Sequence, residues 1–128
     1  MTLIKPKRLN IGDTIGIISP SSSLPADIPF RFRRGVECLE KLGFRVKIGK
    51  YAVSKYGYMA GKPIERAMDI NSMFKDANVK AIISSIGGYN SNQLLNLLKY
   101  KMIRKNPKIF MGYSDATSLL LTIFKKTN

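Results

Sequence analysis

Four short apolar runs, set apart by longer amphipathic stretches, leave this chain few ways to fold. Thr14 to Ser19 reads as a buried strand ending at Pro20, and Phe44 to Ile48 as a second. Val79 to Ser85 is a third, stopped by Gly87-Gly88, and Lys108 to Gly112 a fourth. Between them, Asp27 and Pro29 open a helix in which Ile28, Phe32, Val36 and Leu39 recur at helical spacing until Gly43. Tyr51 to Gly61 reads as a loop. Pro63 opens a second helix, with Ile64, Ala67, Met68 and Phe74 on its buried side. A short helix is expected around Asn92 to Leu98, then a polar link through Arg104-Lys105-Asn106-Pro107. Ala116, Leu119, Leu120 and Ile123 mark the last helix. Strand and helix in alternation predict an α/β fold, a mostly parallel sheet with helices on both faces in the flavodoxin-like, three-layer manner. No internal repeat, low-complexity tract or linker divides it, so the chain is one α/β domain or a piece of one.

Composition narrows the chemistry. A chain of 128 residues is long enough for a genuine core. Its one cysteine, Cys38, excludes an internal disulfide and makes a cytoplasmic location the default. Cys38 is expected within the first helix near its buried face, as a packing residue. The N-terminal stretch from Met1 to Arg8 carries charge but no apolar run of signal-peptide length, and no segment reaches the length of a membrane span. The net charge of +14 invites a nucleic-acid reading. However, the cations are spread over helices, links and both termini with few aromatics between them, which describes a generally basic surface. Arg31, Arg33 and Arg34 read as a solvated helix face. The chain has no histidine, and so lacks the commonest general base and the commonest metal ligand.

In an open parallel sheet, ligands bind beyond the carboxyl ends of the strands. Three such ends carry unusual residues: Ser19-Pro20-Ser21-Ser22-Ser23, Gly87-Gly88-Tyr89-Asn90-Ser91-Asn92 and Gly112-Tyr113-Ser114-Asp115. Ser114 sits between a strand and a helix, with Gly112 and Ala116 two residues to either side. A sharp strand-to-helix turn needs small neighbours at those positions, because its backbones approach closely. The pattern approximates a nucleophile elbow with Ala for the final Gly. The Asp115 amide would be one oxyanion donor at the start of the following helix, and Gly88 can present a second. The same residues also fit a plain N-cap and a plain glycine turn. No dinucleotide fingerprint or Walker-type loop is present. A non-catalytic small-molecule-binding α/β domain and a basic nucleic-acid-binding module therefore stand as alternatives to a hydrolase.

Three segments resemble one family. Lys7 to Ser22, Ser85 to Asn92 and Lys108 to Thr117 are similar, in the same order, to the LD-carboxypeptidase family of serine peptidases. The Asn90-Ser91-Asn92 form is nearest the branch containing microcin C immunity peptidases. The resemblance implies a Ser-Glu-His triad with Ser114 as nucleophile, and an oxyanion hole from the backbone amides of Gly88 and Asp115. It also implies substrate contacts around Gly87, Tyr89, Ser91 and Asn92, and no metal or cofactor. Family members hydrolyse amide bonds beside a free carboxylate, in murein tetrapeptides or in peptidyl-nucleotide antibiotics, and are typically cytoplasmic dimers. In the family the Glu and His lie in a second domain beyond the nucleophile, whereas this chain stops one helix after Ser114. The expectation is an N-terminal, nucleophile-bearing half of a two-domain enzyme, without its C-terminal domain, nearly inactive alone and prone to self-association.

Overall fold

The computed structural model describes residues 3–128; Met1 and Thr2, part of the stretch read for a signal peptide, lie outside them. Its elements run β1 (Thr14–Ile18), α1 (Leu24–Asp27), α2 (Pro29–Lys41), β2 (Arg45–Ile48), α3 (Pro63–Lys75), β3 (Val79–Ser84), α4 (Tyr100–Lys105), β4 (Ile109–Met111) and α5 (Thr117–Thr127). Single 3-10 turns lie at Ser91–Leu94 and Ser114–Ala116. The four strands form one wholly parallel sheet in the order β2-β1-β3-β4. Ile17 stands opposite both Ile48 and Ile83, and Ile83 opposite Met111. This register aligns the carboxyl ends of β1, β3 and β4 side by side.

Helices cover both faces of the sheet, unequally. On one face, Ile18, Ile82 and Phe110 pack against Ile70, Met73 and Phe74 of α3, Ile103 of α4, and Leu119 and Ile123 of α5. Gly16 belongs to the close fit of that layer, since a Cβ there would stand 2.6 Å from the Met73 sulfur. On the other face lies α2, none of whose residues is fully buried. Ile28, Phe32, Val36 and Leu39 line an apolar groove of about 420 Å³ against Ile17, Ile83 and Met111. Prolines at the first helical position start α2 and α3, where a missing N–H costs nothing. Gly43, at φ +97°, ends α2 in the left-handed conformation that glycine adopts without strain.

Four expectations need correction. The supposed polar link contains α4, because Met102 and Ile103 give the cationic stretch an apolar side that packs on α5 and α3. The stretch expected as the short helix at Asn92 to Leu98 is one 3-10 turn, Ser91–Leu94. On α3 the buried stripe is Arg66, Ala67, Asp69, Ile70, Met73 and Phe74, which turns Ile64 and Met68 outward. Cys38 is exposed on α2, because that helix meets the sheet only along the line from Ile28 to Leu39. Among the described residues, no helix is long and apolar enough to cross a membrane.

Candidate active site at the strand ends

Ser114 begins the 3-10 turn that links β4 to α5, and its side chain is exposed. Its φ is +55°, the one positive value at a non-glycine position among the described residues. A left-handed serine stores about 1–3 kcal/mol of backbone strain and persists only where its surroundings over-determine it. The close approach here is measurable: a Cβ on Gly112 would stand 3.0 Å from the Ala116 Cβ and 3.2 Å from the Ser84 Cβ. The small residues on either side of Ser114 are therefore a steric requirement of the elbow.

The β3 loop lies directly against this turn. A Cβ on Gly87 would stand 3.3 Å from the Ser114 Cβ, 3.4 Å from its Oγ and 3.4 Å from the Asp115 amide nitrogen. Gly88 has φ +149°, and a side chain there would run into Ser21 Oγ. Only glycine fits both the conformation and the space. The Gly88 N–H has no hydrogen-bond partner among the described residues, so it remains free to donate.

Side chains tie the three loops together. Ser21 Oγ, buried behind β1, accepts from the amides of Tyr89 (3.1 Å) and Asn90 (2.9 Å). The Asp115 carboxylate accepts from the amides of Asn90 (3.1 Å) and Ser91 (2.9 Å). Ser91 Oγ donates back to the Asp115 carbonyl at 2.6 Å and lies 2.9 Å from Ser118 Oγ. Below them, fully buried Arg66 donates to the carbonyls of Pro20, Gly61 and Asn90 and to Gln93 Oε1. Burial lowers the pKa of this guanidinium, and the charge of Asp115 opposes that shift. The loop from Tyr51 to Gly61 joins the same assembly, through Ala60 N–H to the Ser21 carbonyl at 2.8 Å and Ser23 N–H to the Tyr58 carbonyl at 3.1 Å.

The residues singled out from the sequence thus converge, but they differ in kind. Ser114, Gly87, Gly88 and Asp115 meet at one point. Tyr89 and Asn92 are exposed beside it, and Tyr113, 84% exposed, flanks Ser114. Ser91 is fully buried with its hydroxyl committed, so it is an internal strut and not a surface that a substrate meets. Arg31, Arg33 and Arg34 are exposed along α2. Sequence reasoning missed Arg66. Its spacing from Ile70 and Met73 places it on the apolar stripe of α3, and that was the available signal. The chain has no histidine, and the Asp115 carboxylate accepts from two amides of the β3 loop. Among the described residues no group of His, Cys, Asp and Glu could hold a metal ion.

Comparison with known proteins yields one consistent set of relatives. The LD-carboxypeptidase N-terminal domain family matches residues 15–128. A probable murein peptide carboxypeptidase of Bacillus subtilis is 43% identical over 96% of this chain and 38% of its own length. The microcin C7 self-immunity protein MccF of Escherichia coli is 44% identical over 93% of this chain and 35% of its own. The structure of MccF in complex with aspartyl sulfamoyl adenosine superposes with a TM-score of 0.93 at 42% identity, covering 99% of this chain and 37% of that one. The chain therefore spans less than two-fifths of the length of these relatives.

Proposed function

The chain belongs to the LD-carboxypeptidase family, matching its N-terminal domain, and on that premise we propose that it is the nucleophile-bearing half of a serine-type carboxypeptidase. One observation carries the reading: Ser114 is held at positive φ on a strand-to-helix elbow, with the Gly87-Gly88 loop packed against its hydroxyl. In the reaction, Ser114 Oγ attacks the carbonyl of an amide bond beside a free carboxylate. The negative charge that develops on the carbonyl oxygen is met by the amides of Gly88 and Asp115. The C–N bond breaks, the proton from Ser114 passes to the departing amine through a histidine, and water then releases the acyl group.

The histidine, and the glutamate that orients it, belong to a C-terminal domain outside these residues. Tyr89, Asn92 and Gly87 form the substrate-facing edge on this side of the cleft. Two substrate classes are in keeping with the relatives: a murein peptide, as for the Bacillus protein's name, and a peptidyl-nucleotide antibiotic, for which the aspartyl sulfamoyl adenosine in the MccF complex is a related ligand. The protein acts in the cytoplasm and as a homodimer. Alone, residues 1–128 should hydrolyse such amides about a millionfold more slowly than a complete triad enzyme, the loss that follows removal of the base. The test is labelling by a serine-directed phosphonate in a protein that carries the Glu and His. Covalent capture at Ser114, abolished by Ser114→Ala, is the expected result. An unlabelled Ser114 would instead leave a non-catalytic binding domain. Measurable turnover by residues 1–128 alone would overturn the division of the triad.

A further inference from the structure

Arg66 is 1% exposed, and every N–H it carries is used. Nε donates to the Gly61 carbonyl at 2.8 Å. Nη1 donates to the carbonyls of Pro20 (2.6 Å) and Asn90 (3.2 Å), and Nη2 to Gln93 Oε1 (2.6 Å) and the Met59 sulfur (3.4 Å). No donor is left for a ligand. Among the described residues no carboxylate forms a salt bridge with it, so the cation is held by neutral acceptors alone. Burying a charge that way is costly unless the geometry returns something elsewhere.

That return lies across the β3 loop. The Asn90 carbonyl, which accepts from Arg66, and the Ser91 N–H, which donates to Asp115 at 2.9 Å, are the two ends of one peptide unit. A buried cation and a carboxylate therefore bracket a single peptide dipole, the negative end toward Arg66 and the positive end toward Asp115. Hydrogen bonds in such a series polarise and strengthen one another. Asp115 follows Ser114 directly, and its amide lies against Gly87.

We propose that Arg66 is a positioning residue for the Ser114 turn, clamping the Gly87-to-Ser91 loop onto Asp115 through the Asn90–Ser91 peptide. Its consequence for catalysis rests on the hydrolase reading; the clamp itself does not. The test is amide hydrogen exchange by NMR on the 128-residue chain, in a double-mutant cycle of Arg66→Gln and Asp115→Asn. Each single substitution should speed exchange at Ser91 by about tenfold or more, while the Ile17 and Ile82 amides stay unchanged. The double variant should be little faster than the faster single, the non-additivity that a shared interaction produces. Arg66→Lys, which keeps the charge with fewer donors, should recover part of the protection. Should Arg66→Gln unfold the chain, as Ile82 would report, Arg66→Lys takes its place in the cycle. Exchange at Ser91 within about twofold of the parent in the arginine variants, or strictly additive effects, overturns the clamp. Failure of the hydrolase reading appears elsewhere, as a Ser114 that no phosphonate labels, and leaves these exchange rates as they are.

Discussion

The two faces of the sheet are built from similar sequence and packed differently. Toward α3, α4 and α5, Ile18 and Ile82 of the sheet and Ile70, Met73, Phe74, Ile103 and Leu119 of the helices are almost completely buried, as is Leu94 of the first 3-10 turn. Toward α2, the same kind of apolar stripe is only half-buried, and Met111 at the β4 edge is 56% exposed. Amphipathic spacing states that a helix has an apolar side, and not how fully that side is covered. The candidate site rests on the closed face and opens beside the looser one, whose groove ends at Ser85, Ile86, Gly87 and Tyr113.

One substitution on each face tests this difference in packing. Leu119→Ala, on the closed face, should lower stability by about 3 kcal/mol, the loss typical of a fully enclosed leucine. Leu39→Ala, on α2, should lower it by no more than about 1 kcal/mol, since much of that side chain already meets water. Urea titration measures both, and equal losses would mean that the faces are equally packed. A smaller effect of opposite sign belongs to the elbow. Ser114→Gly should raise stability by about 1 kcal/mol, because glycine relieves the positive φ, while removing the proposed nucleophile.

The pH dependence of the closed face turns on Asp69, a buried carboxylate on α3 that accepts from the Tyr51 amide at 2.8 Å. Desolvation raises its pKa above 3.8 despite the hydrogen bonds from Tyr51 and Lys50. The folded chain thus holds a proton that the unfolded chain releases. The associated stability is present in full below pH 3.8 and is lost as pH rises through the raised value. Asp69→Asn should flatten that fall, as denaturation midpoints across acid pH would reveal; an unchanged slope would assign the shift to another group. The smallest effect is expected at the open edge, where Met111→Lys should move stability by no more than about 0.5 kcal/mol. A larger loss would show that the α2 face is closed in solution.

The four strands were legible because each is a short run with apolar residues ended by Pro, Gly or a polar turn, and the parallel sheet followed from the helices between them. The convergence of Ser114, Gly87, Gly88 and Asp115 was legible for the same reason, since strand ends in such a sheet share one edge. Helix α4 was not, because four of the seven residues from Lys99 to Lys105 are cationic and mask Tyr100, Met102 and Ile103, which pack. Arg66 was not, because a lone arginine in a helix ordinarily reads as solvated. Its partners are backbone carbonyls of loops whose path only the fold defines. The commitment of Ser91 inward has the same origin, its acceptor lying 24 residues away.

The strand order has a kinetic corollary. Ser21 and Asn90, joined by a hydrogen bond at the site, are 69 residues apart, and Asp115 reaches the same loop from a third segment. The crossovers that set β3 beside β1 and β4 beside β3 must close before these loops can meet. Loop-closure entropy places such non-local contacts late in folding. A collapsed intermediate with formed helices but unsettled sheet register would contain Ser114 as a residue and lack it as a site. Recovery of the Ser114 environment on refolding should therefore lag behind recovery of helix.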